Sequence, residues 1–134
     1  MALLTLFKKQ FGRLYIPLGW SIFIQCLLCI PGPSLPETNA IEIPYLDKYI
    51  HVVIFGTFVW LWCLYFKRRA LNVNRLKLVF FVIYLAAAIN GIVIEYIQKY
   101  FIPFRSFDEA DIIADVLSAS IVYGICNVKF LTIK

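Results

Sequence analysis

The sequence has few charged residues and little histidine. Only 16% of its 134 residues are charged and 62% are hydrophobic, whereas soluble domains are roughly 45–50% apolar and about 25% charged. It contains a single histidine, and it shows no glycine-rich phosphate loop and no internal repeat. This composition excludes an ordinary soluble globular domain and makes long apolar segments the first feature to locate.

Four nearly uncharged segments are long enough to cross a membrane. They cover approximately residues 13–30, 49–66, 77–98 and 110–128. As helices they are each about 27 Å or longer, which suits a hydrocarbon layer of about 30 Å. The connections between them are too short for a second folded domain. The sequence therefore predicts an all-α polytopic membrane protein, a single domain over residues 1–134 with four transmembrane helices in an antiparallel bundle.

The basic residues are unevenly distributed, although the net charge of +5 by itself would be compatible with nucleic-acid binding. They gather before the first segment, between the second and third, and after the fourth: Lys8, Lys9, Arg13, Lys67, Arg68, Arg69, Arg75, Lys77, Lys129 and Lys134. The positive-inside rule places these three stretches in the cytoplasm. We therefore predict an N-in and C-in topology with two outer loops, and no nucleic-acid partner.

Two further features concern cysteine and proline. All four cysteines, Cys26, Cys29, Cys63 and Cys126, lie inside predicted spans, which favours small packing residues over a disulfide framework or a redox site.

The first outer loop, residues 31–48, carries five prolines and glycines that forbid a regular helix through it. We expect this loop to be extended, and we expect Pro103, preceded by Ile102 in the second outer connection, to end the third helix just before it.

Polar side chains collect at the outer ends of the second, third and fourth spans. Asp111, Asp115 and Ser118 follow Asp108 at intervals of three, four and three residues, which places them on one stripe of the fourth helix. By the same rule Asp47 shares a face with His51, and Glu95 with Gln98. Ionisable groups in a span are costly unless they face protein. The three polar faces are therefore predicted to meet in one layer.

This layer contains more carboxylates than basic groups. Asp47, Glu95, Asp108, Glu109, Asp111 and Asp115 stand against Lys48, Lys99 and Arg105. Such an excess requires that the layer retain a proton or bind a cation. Proton retention is the favoured interpretation, with no metal and no cofactor. The weaker alternative is a metal held by His51 with Asp47 and Asp111.

Individual residues of the layer also have simpler roles open to them. Asp108 is a candidate N-cap of the fourth helix, and Glu109 suits its first turn through the helix dipole. Arg105 is suited to bind a carboxylate of helix three or four, or an anionic group of a ligand. Ser21 and Gln25 share a face of helix one and are expected to bond across helices. Nucleophilic catalysis has little support, since no serine lies at a recognisable spacing from His51.

Three short motifs occur in the order of the spans. They are Asp47-Lys48-x-x-His51 at the start of the second, Glu95-x-x-Gln98 at the end of the third, and Arg105-Ser106-Phe107-x-x-x-Asp111 before the fourth. Together, over residues 44–124, they resemble the VanZ-like family, membrane proteins named for a teicoplanin-resistance protein. The resemblance implies a small multi-pass protein of the bacterial inner (cytoplasmic) membrane, with lowered susceptibility to lipoglycopeptides as the family trait. It implies no mechanism. Asp115 and Ser118 stand where the family tends to show Asn and Gly.

The leading functional hypothesis is an outward-facing polar pocket that binds or modifies a membrane lipid or a lipid-linked envelope component, without established catalysis. The predicted binding layer consists of Asp47, Lys48, His51, Glu95, Gln98, Arg105, Asp111 and Asp115. One alternative is an intramembrane enzyme acting on a lipid-linked substrate, with Glu95, Asp111 or Asp115 as general acid or base. Another is a subunit of a membrane transport or assembly complex. Homo-oligomerisation is compatible with all three.

Overall fold

A computed structural model describes residues 13–31, 45–69 and 71–131 of the chain. These residues form four α-helices and no strand: α1 (Tyr15–Leu28), α2 (Leu46–Lys67), α3 (Val73–Phe101) and α4 (Glu109–Leu131). The predicted all-helical bundle is confirmed. The expectations for Lys8, Lys9, Lys134 and residues 32–44 of the first outer loop concern positions outside the described residues.

Three of the helices are long and apolar enough to cross a membrane. They are α2, α3 and α4, with 22, 29 and 23 residues, and each extends beyond the segment predicted for it. α1 is a shorter apolar helix of 14 residues, which corresponds to about 21 Å. It ends before residue 30, the predicted limit, because Pro31 disfavours helical backbone at the residue that precedes it.

The ends of α3 and α4 follow from local side chains. α3 begins after Asn72, whose side-chain oxygen accepts a hydrogen bond from the Arg75 backbone N–H at 2.9 Å. It ends at Phe101, as predicted from Pro103, and Ile102 is already extended with φ −106° and ψ 118°. The connection that follows is short, so α3 and α4 are antiparallel neighbours.

Helices α2, α3 and α4 form the core of the bundle, and α1 packs against α2 and α3 but not against α4 within the described part of the chain. The buried side chains at the centre are mainly aliphatic and aromatic: Ile24, Phe55, Val59, Phe80, Ala87, Ile94 and Ala119. Gly56 in α2 and Gly91 in α3 both face α4. Small residues at such positions allow helix backbones to approach closely, which is the usual basis of helix association in membranes.

Polar side chains attach α1 to its two neighbours. Among the described residues, four hydrogen bonds join α1 to α2 or α3: Trp20 Nε1 to Ile54 O at 3.0 Å, Trp62 Nε1 to Ser21 Oγ at 3.1 Å, Gln25 Nε2 to Asn90 Oδ1 at 2.8 Å, and Gln98 Nε2 to Leu28 O at 2.8 Å. The predicted cross-helix role of Ser21 and Gln25 is thus confirmed. In an apolar layer such bonds also satisfy polar groups that would otherwise be costly to bury.

The two ends of the bundle differ in chemistry. At one end, basic side chains lie over aromatic rings: the Arg69 guanidinium is 4.7 Å from the Tyr65 ring and the Lys129 ammonium is 4.9 Å from the Trp60 ring. This is the end that the charge distribution predicts to face the cytoplasm. The opposite end, where α2 and α4 begin and α1 and α3 end, is called the polar end below.

Candidate functional site

The polar end brings most of the predicted site residues together. Five of the eight are buried, namely His51, Glu95, Gln98, Asp111 and Asp115; Lys48 and Arg105 are half-buried, and Asp47 is exposed. The antiparallel arrangement accounts for this, because the starts of α2 and α4 lie beside the end of α3. The three polar faces predicted from helical spacing therefore do meet.

Lys48 links α2 to the start of α4. Its Nζ atom lies 2.9 Å from Asp47 Oδ2, 2.7 Å from Asp108 Oδ2 and 3.0 Å from Asp111 Oδ1. One oxygen from each of these carboxylates lies within 4.8 Å of the others, a spacing that would also suit a cation. The lysine ammonium already supplies the positive charge for this group.

Asp108 combines two roles at the N-terminus of α4. Its Oδ1 atom accepts a hydrogen bond from the Ala110 backbone N–H at 2.8 Å, so it caps the helix as expected. Its Oδ2 atom accepts from Lys48. The hydrogen bond from Lys48, and then that from Ala110, hold the pKa of the Asp108 carboxyl below its ordinary value of 3.8.

His51 and Asp115 form a buried pair between α2 and α4. His51 Nδ1 lies 3.0 Å from Asp115 Oδ1, and the side chains are 5% and 0% exposed. When Asp115 is ionised its carboxylate can only accept, so Nδ1 donates, and in a neutral imidazole Nε2 then carries the lone pair. This Nε2 faces Asp111, 4.0 Å from Oδ2. Below the pair, Ser118 donates to the Val52 carbonyl at 2.5 Å.

Glu95 is completely buried in α3. Its Oε2 atom accepts a hydrogen bond from the Asp108 backbone N–H at 3.0 Å, a contact to the chain just before α4. Its Oε1 atom, like Oδ2 of Asp115, is buried without a hydrogen-bond partner among the described residues. These two oxygens are the buried carboxylate atoms at which a retained proton or a cation would supply the missing partner. No sequence pattern indicated the backbone contact, because it depends on how α3 ends beside α4.

Two residues expected in the layer lie outside it. The Lys99 ammonium lies 5.3 Å from the centre of the Tyr100 ring and 5.6 Å from that of Phe107, and Glu109 is exposed in the first turn of α4. Lys99 follows Gln98 directly, and a step of one residue turns the side chain away from the buried face. The excess of carboxylates over basic side chains is unchanged, since one residue of each sign leaves the layer.

Gln98 and Arg105 do not join the carboxylate cluster either. Gln98 donates to the Leu28 carbonyl and so fastens α1. Among residues 13–31, 45–69 and 71–131, the buried Arg105 Nε atom has no hydrogen-bond partner, and no carboxylate forms an ion pair with the Arg105 guanidinium. Two partners were expected for Arg105. The first, a carboxylate of α3 or α4, does not form an ion pair with it.

Arg105 borders a small cavity at the polar end. The cavity has a volume of about 100 Å³ and is lined by Leu27, Leu28, Asp47, Ile50, His51 and Arg105. Half of this lining is apolar and half carries charge or hydrogen-bonding groups. The sequence motifs predicted the polar residues of this lining. The apolar residues were not predicted, because they come from the end of α1 and from an apolar position of α2.

The site is thus a buried network of carboxylates, one histidine and one lysine, beside a cavity that an arginine borders. This chemistry suits an anionic group at Arg105 and a proton or a cation at the carboxylates. Comparisons of the chain with protein-family models, with curated proteins and with solved structures found no match.

Proposed function

We propose that this chain is a VanZ-like integral membrane protein of the bacterial cytoplasmic membrane whose polar end faces outward and binds the anionic headgroup of a lipid or lipid-linked envelope component. The observation that carries the proposal is Arg105, which lines a cavity and whose guanidinium forms no ion pair with a carboxylate of the described residues. A partly buried cation is costly to desolvate without a partner. A phosphate or carboxylate in the cavity would supply bidentate hydrogen bonds to it.

The cavity suits one end of an amphiphile. Its volume of about 100 Å³ is well below the 300–1,000 Å³ typical of sites that enclose a whole small molecule, so it accommodates a single charged group. Leu27, Leu28 and Ile50 add apolar walls next to this group. Because the cavity lies at the end of membrane-spanning helices, it is at the depth of lipid headgroups. These features favour a lipid over a soluble anion.

The resemblance of the three motifs supports a role in the bacterial envelope and brings with it the trait of lowered teicoplanin susceptibility. The departure at Asp115 is compatible with that resemblance. Its Oδ1 atom accepts from His51 Nδ1, and the side-chain oxygen of an asparagine accepts the same hydrogen bond. The contact made by this residue therefore does not depend on the added charge.

Lipid binding is tested with purified protein and two variants. Native mass spectrometry would measure retention of phosphatidylglycerol and of a polyprenyl phosphate, with phosphatidylcholine as the neutral comparison. We expect the wild type to retain the anionic lipids and Arg105→Ala to lose at least about tenfold in affinity, the equivalent of one charge-assisted hydrogen bond. Arg75→Ala removes an exposed arginine at the other end of the bundle and should bind as the wild type does. Equal binding by all three proteins would contradict the proposal.

The link to glycopeptides is tested in cells. Wild type and Arg105→Ala would be expressed in a teicoplanin-sensitive Gram-positive host, and the amount of monodisperse, detergent-extracted protein would be measured beside susceptibility. We expect wild type to protect, and Arg105→Ala to accumulate equally without protecting. If wild type binds anionic lipid but never protects, the result would support the proposed lipid ligand and contradict the resistance trait.

An intramembrane acid/base enzyme is the second candidate, because His51 borders the cavity and is paired with the buried carboxylate of Asp115. Histidine and carboxylate pairs of this kind transfer protons in many active sites. Conversion of a lipid-linked substrate by purified wild type, abolished in His51→Gln, would favour the enzyme over the binding protein. Crosslinking in native membranes tests membership of a larger assembly or a homo-oligomer.

A further inference from the structure

Three side chains from three helices converge at the polar end, and each is held through one atom while another has no hydrogen bond to the described residues. His51 of α2 is held through Nδ1, Glu95 of α3 through Oε2 and Asp111 of α4 through Oδ1. The atoms left over are an imidazole nitrogen and two carboxylate oxygens. All three residues are buried, at 4%, 0% and 7% exposure.

The spacing of these residues suits one metal ion. One nitrogen or oxygen from each lies within 4.8 Å of the other two, and His51 Nε2 is 4.0 Å from Asp111 Oδ2. Ligands bound to a single ion at 2.0–2.2 Å lie about 3–4 Å apart. The 4.0 Å between His51 Nε2 and Asp111 Oδ2 is already at the upper limit of this range.

Two independent observations point to a ligand here. The Glu95 Oε1 atom is fully buried and has no hydrogen-bond partner in the described structure, a costly state for a carboxylate. The second is the contact between Asp115 and His51 Nδ1. A carboxylate that accepts from one ring nitrogen of a histidine, while the other nitrogen faces ligands, is the usual outer-shell arrangement of metal-binding histidines.

We propose that His51 Nε2, Glu95 and Asp111 bind a divalent transition-metal cation, with Asp115 as the residue that orients His51. One imidazole and two carboxylates are ligands that Zn²⁺ and Mn²⁺ accept, whereas Ca²⁺ requires a larger set of oxygen ligands. Three protein ligands leave a coordination position for water or for a group of a bound molecule.

The neighbouring carboxylates do not form this site. The Lys48 ammonium lies among Asp47, Asp108 and Asp111 and occupies the position that a metal ion would need there. Asp111 belongs to both groups through different oxygens, because Oδ1 binds Lys48 while Oδ2 faces His51. Lys48 therefore orients Asp111 in the way that Asp115 orients His51.

The test uses tag-free protein purified in detergent and stripped with EDTA. Isothermal titration calorimetry and elemental analysis after dialysis would measure binding of Zn²⁺ and of Mn²⁺ alone. We expect one ion per chain. Loss of an outer-shell partner typically weakens metal binding about 10- to 100-fold, so this is the effect expected for Asp115→Ala, which removes the acceptor of the His51 hydrogen bond. Glu95→Gln and Asp111→Asn each remove a ligand and should weaken binding further.

A matched control and a spectrum distinguish this site from chance binding. Glu109→Gln removes an exposed carboxylate at the same end of the bundle that lies outside the layer, and should leave the affinity unchanged. X-ray absorption at the zinc edge should show only nitrogen and oxygen ligands. Sulfur at about 2.3 Å would instead place the ion at cysteines, for instance at the buried Cys63 and Cys126, whose thiols contact each other.

Three results would overturn the proposal: no metal bound by folded wild type, binding unaffected by Glu95→Gln and Asp111→Asn, or sulfur ligation. The first result would leave a retained proton as the answer to the carboxylate excess. The inference goes beyond the proposed lipid binding and does not rest on it. Arg105→Ala should lose anionic lipid and keep the metal, while Glu95→Gln should lose the metal and remain folded, so the two ideas fail separately.

Discussion

Gly91 of α3 lies directly against the carboxylate side chain of Asp115 of α4. A Cβ atom at position 91 would be 2.8 Å from Asp115 Oδ2 and 3.0 Å from Asp115 Cβ. The Cβ of Asp115 is fixed to its own backbone, so the two helices can approach this closely only with glycine at position 91. The contact holds Asp115 in its buried position beside His51.

The variant Gly91→Ala is therefore expected to separate α3 from α4 locally and to lower the free energy of unfolding by about 1–3 kcal/mol, as overpacking does in well-packed interiors. Thermal unfolding of the detergent-purified protein would measure the change. Gly124→Ala is the matched control, because a Cβ atom there meets nothing within 4 Å. It should be neutral or stabilising by up to about 1 kcal/mol. Equal effects of the two substitutions would show that the close contact at Gly91 is unimportant.

Gly56 and Ser118 form a second close contact, between α2 and α4. A Cβ atom at position 56 would lie 2.7 Å from Ser118 Oγ, which is held by its hydrogen bond to the Val52 carbonyl. We expect Gly56→Ala to destabilise, and Gly56→Ala with Ser118→Ala to cost less than the sum of the single changes. Residues in direct contact typically couple by about 0.5–3 kcal/mol. Additive effects in the double-mutant cycle, measured by the same unfolding assay, would contradict this.

Gln98 is predicted to fasten the end of α1. Its Nε2 atom donates to the Leu28 carbonyl in a buried environment, so Gln98→Leu should weaken the docking of α1 by about 1 kcal/mol. Hydrogen exchange followed by mass spectrometry should then show roughly fivefold faster exchange in residues 22–30, and little change in α2 or α4. Asn127→Leu is the control, because within the described structure the Asn127 Nδ2 atom donates to Tyr123 O of its own helix and to no other helix. Exchange in α1 that is insensitive to Gln98→Leu would count against this role.

The pH dependence of stability should depend on the contact between Asp108 and Lys48. The pKa of the Asp108 carboxyl is lowered in the folded protein by the Lys48 hydrogen bond and then by that from Ala110. Ionised Asp108 therefore stabilises the fold above the unfolded-state pKa, and this contribution is lost as the pH falls through the lower folded-state pKa. In Lys48→Met the titration midpoint of the Asp108 carboxyl should rise. Carbon NMR of labelled aspartate would measure this midpoint. Lys77→Met, an exposed lysine of the opposite end, should leave the midpoint unchanged; a shift there would indicate a long-range effect of net charge.

Local sequence was sufficient to predict the helices and most of the polar side chains that gather at the polar end. Length and apolarity predicted the four helices, and Pro103 predicted the end of α3. The spacing of Asp111, Asp115 and Ser118 predicted that they share a buried stripe. These predictions succeed because helical periodicity and proline geometry act within a few residues of the chain.

The pairing of the side chains was decided only by the tertiary structure. The sequence indicated that Arg105 could pair with a carboxylate, yet Lys48 makes all the ammonium contacts to Asp47, Asp108 and Asp111. Periodicity determines which side of its own helix a residue occupies, but not the rotation and depth of the neighbouring helices. Those are set by close packing at contacts such as that between Gly91 and Asp115, which no local pattern specifies. The amino-acid sequence by itself determined a helical membrane protein with one polar end, and packing between the helices determined which atoms of that end meet.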